Sequence, residues 1–268
     1  MVNMMEKLTD RPLNDYDADN PKTEFWSDGN KVYYGTGEIK GANPKTFVYY
    51  GFWCKDDRKC FGGERWLKDA KVDTFKALNY TFAIDENNVY TITGKVKYAD
   101  IKTFEVLDNG KSFLWHNQAG IPLYTPNGYA KDKNNVYYEN YEGKTKIIKQ
   151  ADLETFKSIG DTYFAKDKNH IFGNGKIIKK ADINTWTKFT EIPLSYYSKD
   201  DKRIFYGFWE INVDYETFEL VIPENAKSIK LQFAKDKNNF YRNGAIISFD
   251  EFEDYFEEWK SETNERRQ

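Results

Sequence analysis

Apolar and polar residues alternate along this chain in short bursts broken by polar stretches, and the bursts recur in a fixed order. In residues 161–186, DTYFAKDKNHIFGNGKIIKKADINTW, an apolar run at 163–165 gives way to a polar stretch, resumes at Ile171 and Phe172, stops at a GNG string and resumes at Ile177. The first polar stretch carries Asp167, able to bond its own backbone, and an Asn–His pair tolerant of bridge and left-handed conformations, so it predicts a hairpin turn. The GNG string predicts a second tight turn. In ADINTW, Asp182 reads as a helix N-cap, and the aromatic residue four positions later falls on the inner face of one helical turn. The related ANPKTF places Pro44 at the first helical position. Each unit is therefore predicted to be about three short antiparallel strands plus one turn of helix.

The hairpin turn recurs at Asp28, Asp56, Asp85, Asp132, Asp167, Asp200 and Asp236. The anchoring aromatics Phe47, Phe75, Phe104, Phe156, Trp186, Phe218 and Phe252 lie 28, 29, 52, 30, 32 and 34 residues apart. The long interval holds one ordinary unit and a unique insert, residues 109–129, whose Trp115, His116 and Tyr124 have no counterpart in the other copies. A unit of about thirty residues cannot bury its apolar face alone, so neighbours must share a continuous core. The expected fold is all-β: an array of about seven hairpin or meander repeats over residues 24–248, extended or spiral. Propeller-like closure is the alternative, ranked second because blades take about 40 residues or more. Residues 249–268 have apolar positions at 249, 252, 256 and 259, which predicts a capping helix. Residues 1–23 read as a flexible acidic arm.

The D-K-N-N-V-Y-Y core at 132–138, the N-G turn and the A-D-x-x-T-F segment together resemble the DKNYY repeat family over nearly the whole chain after Thr23. The first two copies depart from the pattern. The resemblance implies a bacterial protein in an extracytoplasmic or partner-binding setting, and it carries over no catalytic residues.

Composition narrows the function. Aromatic residues make up 18 % of the chain, which suits pleated surfaces. Forty Lys and Arg stand against 43 Asp and Glu, a balance without the basic footprint of a nucleic-acid binder. No apolar run approaches the roughly 20 residues that span a bilayer, so no membrane insertion is expected. The first residues lack the apolar core of a signal peptide. A periplasmic or surface location is favoured, with the cytoplasm as the reading if no leader was removed.

The candidate chemistry is sparse. Each turn aspartate offers one carboxylate, mostly beside lysine or arginine, whereas calcium wants about six or more oxygen ligands at one site, so a turn role is expected. The string DYDADN at Asp15, Asp17 and Asp19 mimics the start of a calcium loop but lacks its glycine and its final glutamate. His170 occupies a turn place held by asparagine in other copies, and His116 has no nucleophile signature beside it. Scattered carboxylates leave a hydrolase as a third reading. Cys54 and Cys60 flank one hairpin turn; directly opposite they would form a disulfide, whereas a one-residue offset would leave two buried thiols, and the bond is favoured. Tyr137 and Phe172, pointing opposite to Val136 and Ile171, would display an aromatic ladder suited to glycan unless both faces are packed. The string YGFW occurs twice, giving Phe52, Trp53, Phe208 and Trp209 as candidate contacts.

The sequence thus predicts a non-catalytic repeat protein, without cofactor or metal, that binds another protein. The concrete form is an immunity-type neutraliser of a secreted bacterial toxin. The expected contact residues are Trp115, His116, Tyr124, Phe52, Trp53, Phe208 and Trp209. A surface or periplasmic glycan-binding module is the competing class.

Overall fold

The computed structural model describes residues 6–7, 25–35, 37–116, 122–140, 145–160, 163–190, 195–222 and 232–265. Seven small antiparallel sheets follow one another along the chain, six with four strands and one with five, and none closes into a barrel. The fifth repeat shows the plan. Strands Lys157–Ser158, Phe164–Lys166, Ile171–Gly173 and Lys176–Ile177 pair in chain order. The middle hairpin is closed by the aspartate turn. The last is closed by Asn174 and Gly175, both at positive φ (52° and 71°), the pairing a two-residue type I′ turn requires. The sheet has one more strand than the sequence predicts, because the first is only two residues long and too short to show alternation.

The A-D-x-x-T-F segments form the expected single turns, with Thr103, Thr185 and Thr217 amides donating to the carbonyls of Asp100, Asp182 and Asp214. Only Tyr215–Thr217 extends to a 3₁₀ helix. The aromatic after each turn is driven into the preceding sheet. Phe47 packs on Phe25 (5.2 Å between ring centroids), Phe75 on Trp53 (6.2 Å), Phe104 on Phe82 (5.5 Å) and Trp186 on Phe164 (5.2 Å). In all four pairs the partners are 22 residues apart, so one sequence interval encodes these four stacking steps, while Phe218 meets Tyr197 at an interval of 21.

By contacts the chain divides into two compact units: residues 1–111 with 125–149, and residues 112–124 with 150–268. In the first, the core runs through shared clusters. Phe25, Phe47 and Phe61 join repeats one and two, Trp53, Phe75 and Tyr90 join two and three, and Phe82, Val89 and Tyr137 join three and four. In the second unit, Phe164 with Phe205 and Tyr197 with Tyr241 do the same for repeats five to seven. There the backbones come so close that a Cβ on Gly173 would collide with the Gly207 carbonyl, which makes Gly173 obligatory for contact rather than for its torsions.

Helix Phe249–Glu265 closes the last repeat. Ser248 and Glu251 form a reciprocal capping box: the Ser248 hydroxyl accepts the Glu251 amide (3.2 Å) and the Glu251 carboxylate accepts the Ser248 amide (2.9 Å). Four residues after that cap, Phe252 packs on Phe233 at 5.6 Å, so the helix begins as one more copy of the anchoring turn. Phe249 is half exposed, its ring resting on Phe240 at 5.3 Å. At the other end, Glu6–Lys7 pairs with Trp26 and Ser27, so the array begins inside the expected N-terminal arm rather than after it. The acidic string at residues 15–19 lies outside the described residues. No helix among those described is long and apolar enough to cross a membrane.

The disulfide expected between Cys54 and Cys60 does not form; both thiols are free and buried. The loop spans Asp56 to Lys59, closed by the Asp56 amide on the Lys59 carbonyl, so Lys55 faces Cys60 and Cys54 faces Phe61. The one-residue offset sends the two sulfurs to opposite faces, Cys54 into the cluster with Phe25 and Cys60 into that with Trp53. Burial pushes Cys54 well above the usual thiol range and Cys60 up to about 12. Native protein should therefore resist alkylation. After unfolding, both cysteines should be modified without reductant, and a mass showing fewer than two adducts would contradict this register.

Candidate functional site: the aspartate clasp and the exposed tryptophans

From Asp56 onward, each hairpin-turn aspartate is a fastening point; among the described residues Asp28 bonds only its own turn amides and Tyr33. The Asp132 Oδ1 accepts the amides of Asn134 (2.7 Å) and Asn135 (2.8 Å), which fixes the turn. Its Oδ2 reaches across the repeat to accept the Asp100 amide (2.7 Å) and the Tyr137 hydroxyl (2.8 Å). The same Oδ2-to-amide bond joins Asp56 to Asn43, Asp85 to Lys71, Asp167 to Asp152, Asp200 to Asp182 and Asp236 to Asp214. The turn threonine answers in the other direction: Thr103, Thr155 and Thr217 hydroxyls accept the amides of Lys133, Lys168 and Lys237. Those lysines then close ion pairs to Asp100, Asp152 and Asp214 at 2.8, 2.7 and 2.6 Å. The D-K-N and A-D-x-x-T-F strings are two halves of one clasp.

The electrostatics fit this role. The Lys168 ammonium and the Thr155 hydroxyl hold Asp152 down at about 2. For Asp236, burial acts upward, but the Asp214 amide, the Tyr241 hydroxyl and the turn amides outweigh it and leave the carboxyl below its usual range. These carboxylates spend their acceptor positions on the protein's own backbone and side chains. No turn aspartate is left pointing outward as a cation ligand, and among the described residues no three His, Cys, Asp or Glu side chains converge on one point. His170 is part of the same device, its amide donating to Asp167 at 2.7 Å.

The predicted contact residues scatter. Trp53 is fully buried, its Nε1 donating to the Asn79 carbonyl at 3.1 Å, so it is core and not contact surface. Phe52 is half-buried between Tyr34 (5.9 Å) and Tyr80 (4.9 Å). Trp209 is 45 % exposed, beside half-buried Phe208, over which the Lys176 ammonium sits at 4.0 Å. Both YGFW strings are two-residue hairpins with glycine at positive φ (Gly51 53°, Gly207 61°). They occupy different places: the first joins the first and second strands of its sheet, Val48–Tyr50 and Trp53–Lys55, and the second joins the third and fourth, Ile204–Tyr206 and Trp209–Ile211. Identical strings therefore give one core tryptophan and one surface tryptophan. Tyr137 and Phe172 are fully buried, so both faces of the hairpins are packed and the expected ladder is not on the surface.

The insert is a hairpin of Lys111–His116 with Pro122–Lys131, placed between the first strand of its repeat and the aspartate hairpin. Tyr124 is half-buried; the side chains of Trp115 and His116 lie outside the described residues. Insertion there lengthens the repeat without touching either half of the clasp.

Two features escaped the sequence reading. Trp66, on the terminal strand Arg65–Trp66, is 45 % exposed, and its only signal was a tryptophan bracketed by Arg65 and Lys68. Glu139 is a fully buried acid at the base of the insert hairpin, with Thr93 donating to its Oε1 at 2.9 Å and no hydrogen bond to Oε2. Its burial depends on the lengthening of strand Val136–Asn140, which one sequence does not display.

Serial hairpin sheets, each from the second onward fastened to its leading turn by one aspartate, define an all-β repeat scaffold. The DKNYY family model matches residues 7–141, 53–209 and 129–258, and the chain belongs to the DKNYY family. No curated protein and no solved structure matches it.

Proposed function

We propose that this chain is a non-catalytic scaffold that binds another protein, with neutralisation of a secreted bacterial toxin as its concrete form. The observation that supports this reading is the use of the repeated polar residues: the aspartates, threonines and lysines of the motif face one another within the fourth, fifth and seventh repeats, not a shared cleft. The exposed large apolar residues include Trp66 and Trp209 on terminal strands, and large aromatics beside cations are the usual anchors of protein interfaces. Tagged full chain purified from its native host should carry one stoichiometric protein. Trp209→Ala should weaken that association at least tenfold while leaving the urea midpoint unchanged. Retention on cell-wall glycan with no protein partner would favour the glycan-binding class instead.

A further inference from the structure

The surroundings of Trp66 specify more than an interface. The Lys59 ammonium lies 4.9 Å from the centre of its ring and that of Lys68 5.7 Å, both within cation–π range. Arg65, the neighbouring residue on the same strand, spends one guanidinium nitrogen on the Thr93 carbonyl at 2.8 Å. Among the described residues, none of these three cations has a carboxylate at ion-pair distance. The adjacent Asp69 is held by Lys95 at 2.8 Å and feels Lys68 only through its charge. Glu64 is turned to the first sheet, where it occupies the space beside Gly37. The turn lysines Lys31, Lys133, Lys168 and Lys237, by contrast, all have acidic partners.

We propose that Lys59, Arg65, Trp66 and Lys68 form a recognition site for an acidic segment of a partner protein. Three like charges around one exposed indole repel one another in the free protein, and a carboxylate-rich segment removes that repulsion as it covers the ring. The ring supplies apolar area at low entropic cost, and the ammonium groups supply the sign that selects the partner. The patch is small and sits on a chain of net charge −3, which suits a short acidic protein segment better than a nucleic-acid backbone. This inference rests on the protein-binding reading above and adds the partner's chemistry to it.

A fluorescein-labelled peptide of eight glutamates, titrated into the full chain, should bind saturably, at least tenfold more weakly at 0.5 M than at 0.05 M NaCl, and more tightly than an oligothymidylate of twelve nucleotides. The double variant Lys59→Glu/Lys68→Glu should lose at least tenfold in affinity, as should Trp66→Ala, both with the parental urea midpoint. No saturable binding, equal binding by the charge-reversed protein, or tighter binding of the oligothymidylate would overturn the proposal. The two readings separate in the native host: a partner still held by the charge-reversed chain leaves the scaffold function standing and removes this site, whereas a parent chain that carries no protein removes the function itself.

Discussion

Asp132→Ala should cost about 3–5 kcal/mol of stability, the range for removing one member of a buried hydrogen-bonded network. Asp132 is 3 % exposed, and its loss strands three amides, those of Asp100, Asn134 and Asn135, and leaves the Tyr137 hydroxyl only the Tyr98 carbonyl as acceptor. An ordinary turn or cap aspartate is worth about 1 kcal/mol, because water replaces it; here the donors belong to two segments packed against each other, and little water reaches them. Asp132→Asn keeps one acceptor and should retain part of the loss. Lys133→Ala, which removes only an exposed ion pair, should leave the urea midpoint nearly unchanged. Because repeats are coupled mainly to their neighbours, the Asp132→Ala damage should be local: faster amide exchange at 98–104 and 130–137, with repeat one close to its parental protection. A cost below 1 kcal/mol would mean the clasp is a by-product of stacking and not a cause of it.

What the sequence displays and what it hides divide along the length of the interactions. The turns at Asp132 and Asp167, the Asn174–Gly175 turn and the caps before Phe104 and Phe156 are decided within five residues, so their residue types suffice to read them. The clasp partners of Asp56, Asp132 and Asp236 lie 13, 32 and 22 residues upstream, and that varying distance conceals a constant bond. The variation falls in the link between first and second strands, which is where the insert also entered. Cys54 and Cys60 failed at a finer scale, a four-residue instead of a five-residue loop, and in a sheet one residue reverses the face. The reading of Trp53 as a contact failed because identical tetrapeptides carry no record of which hairpin of the sheet they close.

Glu139 should reverse the usual pH dependence of stability in the range where the other shifted carboxylates are silent. Burial raises its carboxyl to about 7 from an ordinary 4.5, against the opposing pull of the Thr145 and Thr93 hydroxyls and of the Lys146 ammonium. The folded protein therefore holds this proton more tightly than the unfolded chain does. Its contribution is complete below pH about 4.5 and is lost as pH rises through about 7. A displacement of about 2.5 in pKa corresponds to about 3 kcal/mol between those limits. Asp152, Asp214 and Asp236, all shifted downward, contribute in the opposite sense and only in acid, below the ordinary carboxylate range. Between pH 5.5 and 8.5 the parent should thus lose most of those 3 kcal/mol, read as a falling urea midpoint. Glu139→Gln, neutral at every pH and of the same size, should lose little over the same interval and should exceed the parent in stability at pH 8.5. The charged form has one oxygen without a donor, so its relief is to part the Thr93 turn from the base of the insert hairpin. Amide exchange at 91–95 and 136–140 should accordingly quicken with pH in the parent beyond its intrinsic base catalysis, and not in the variant. Parallel pH profiles for the two proteins would show that Glu139 is already ionised and solvated in the folded state, and that its burial is not what sets the pH response.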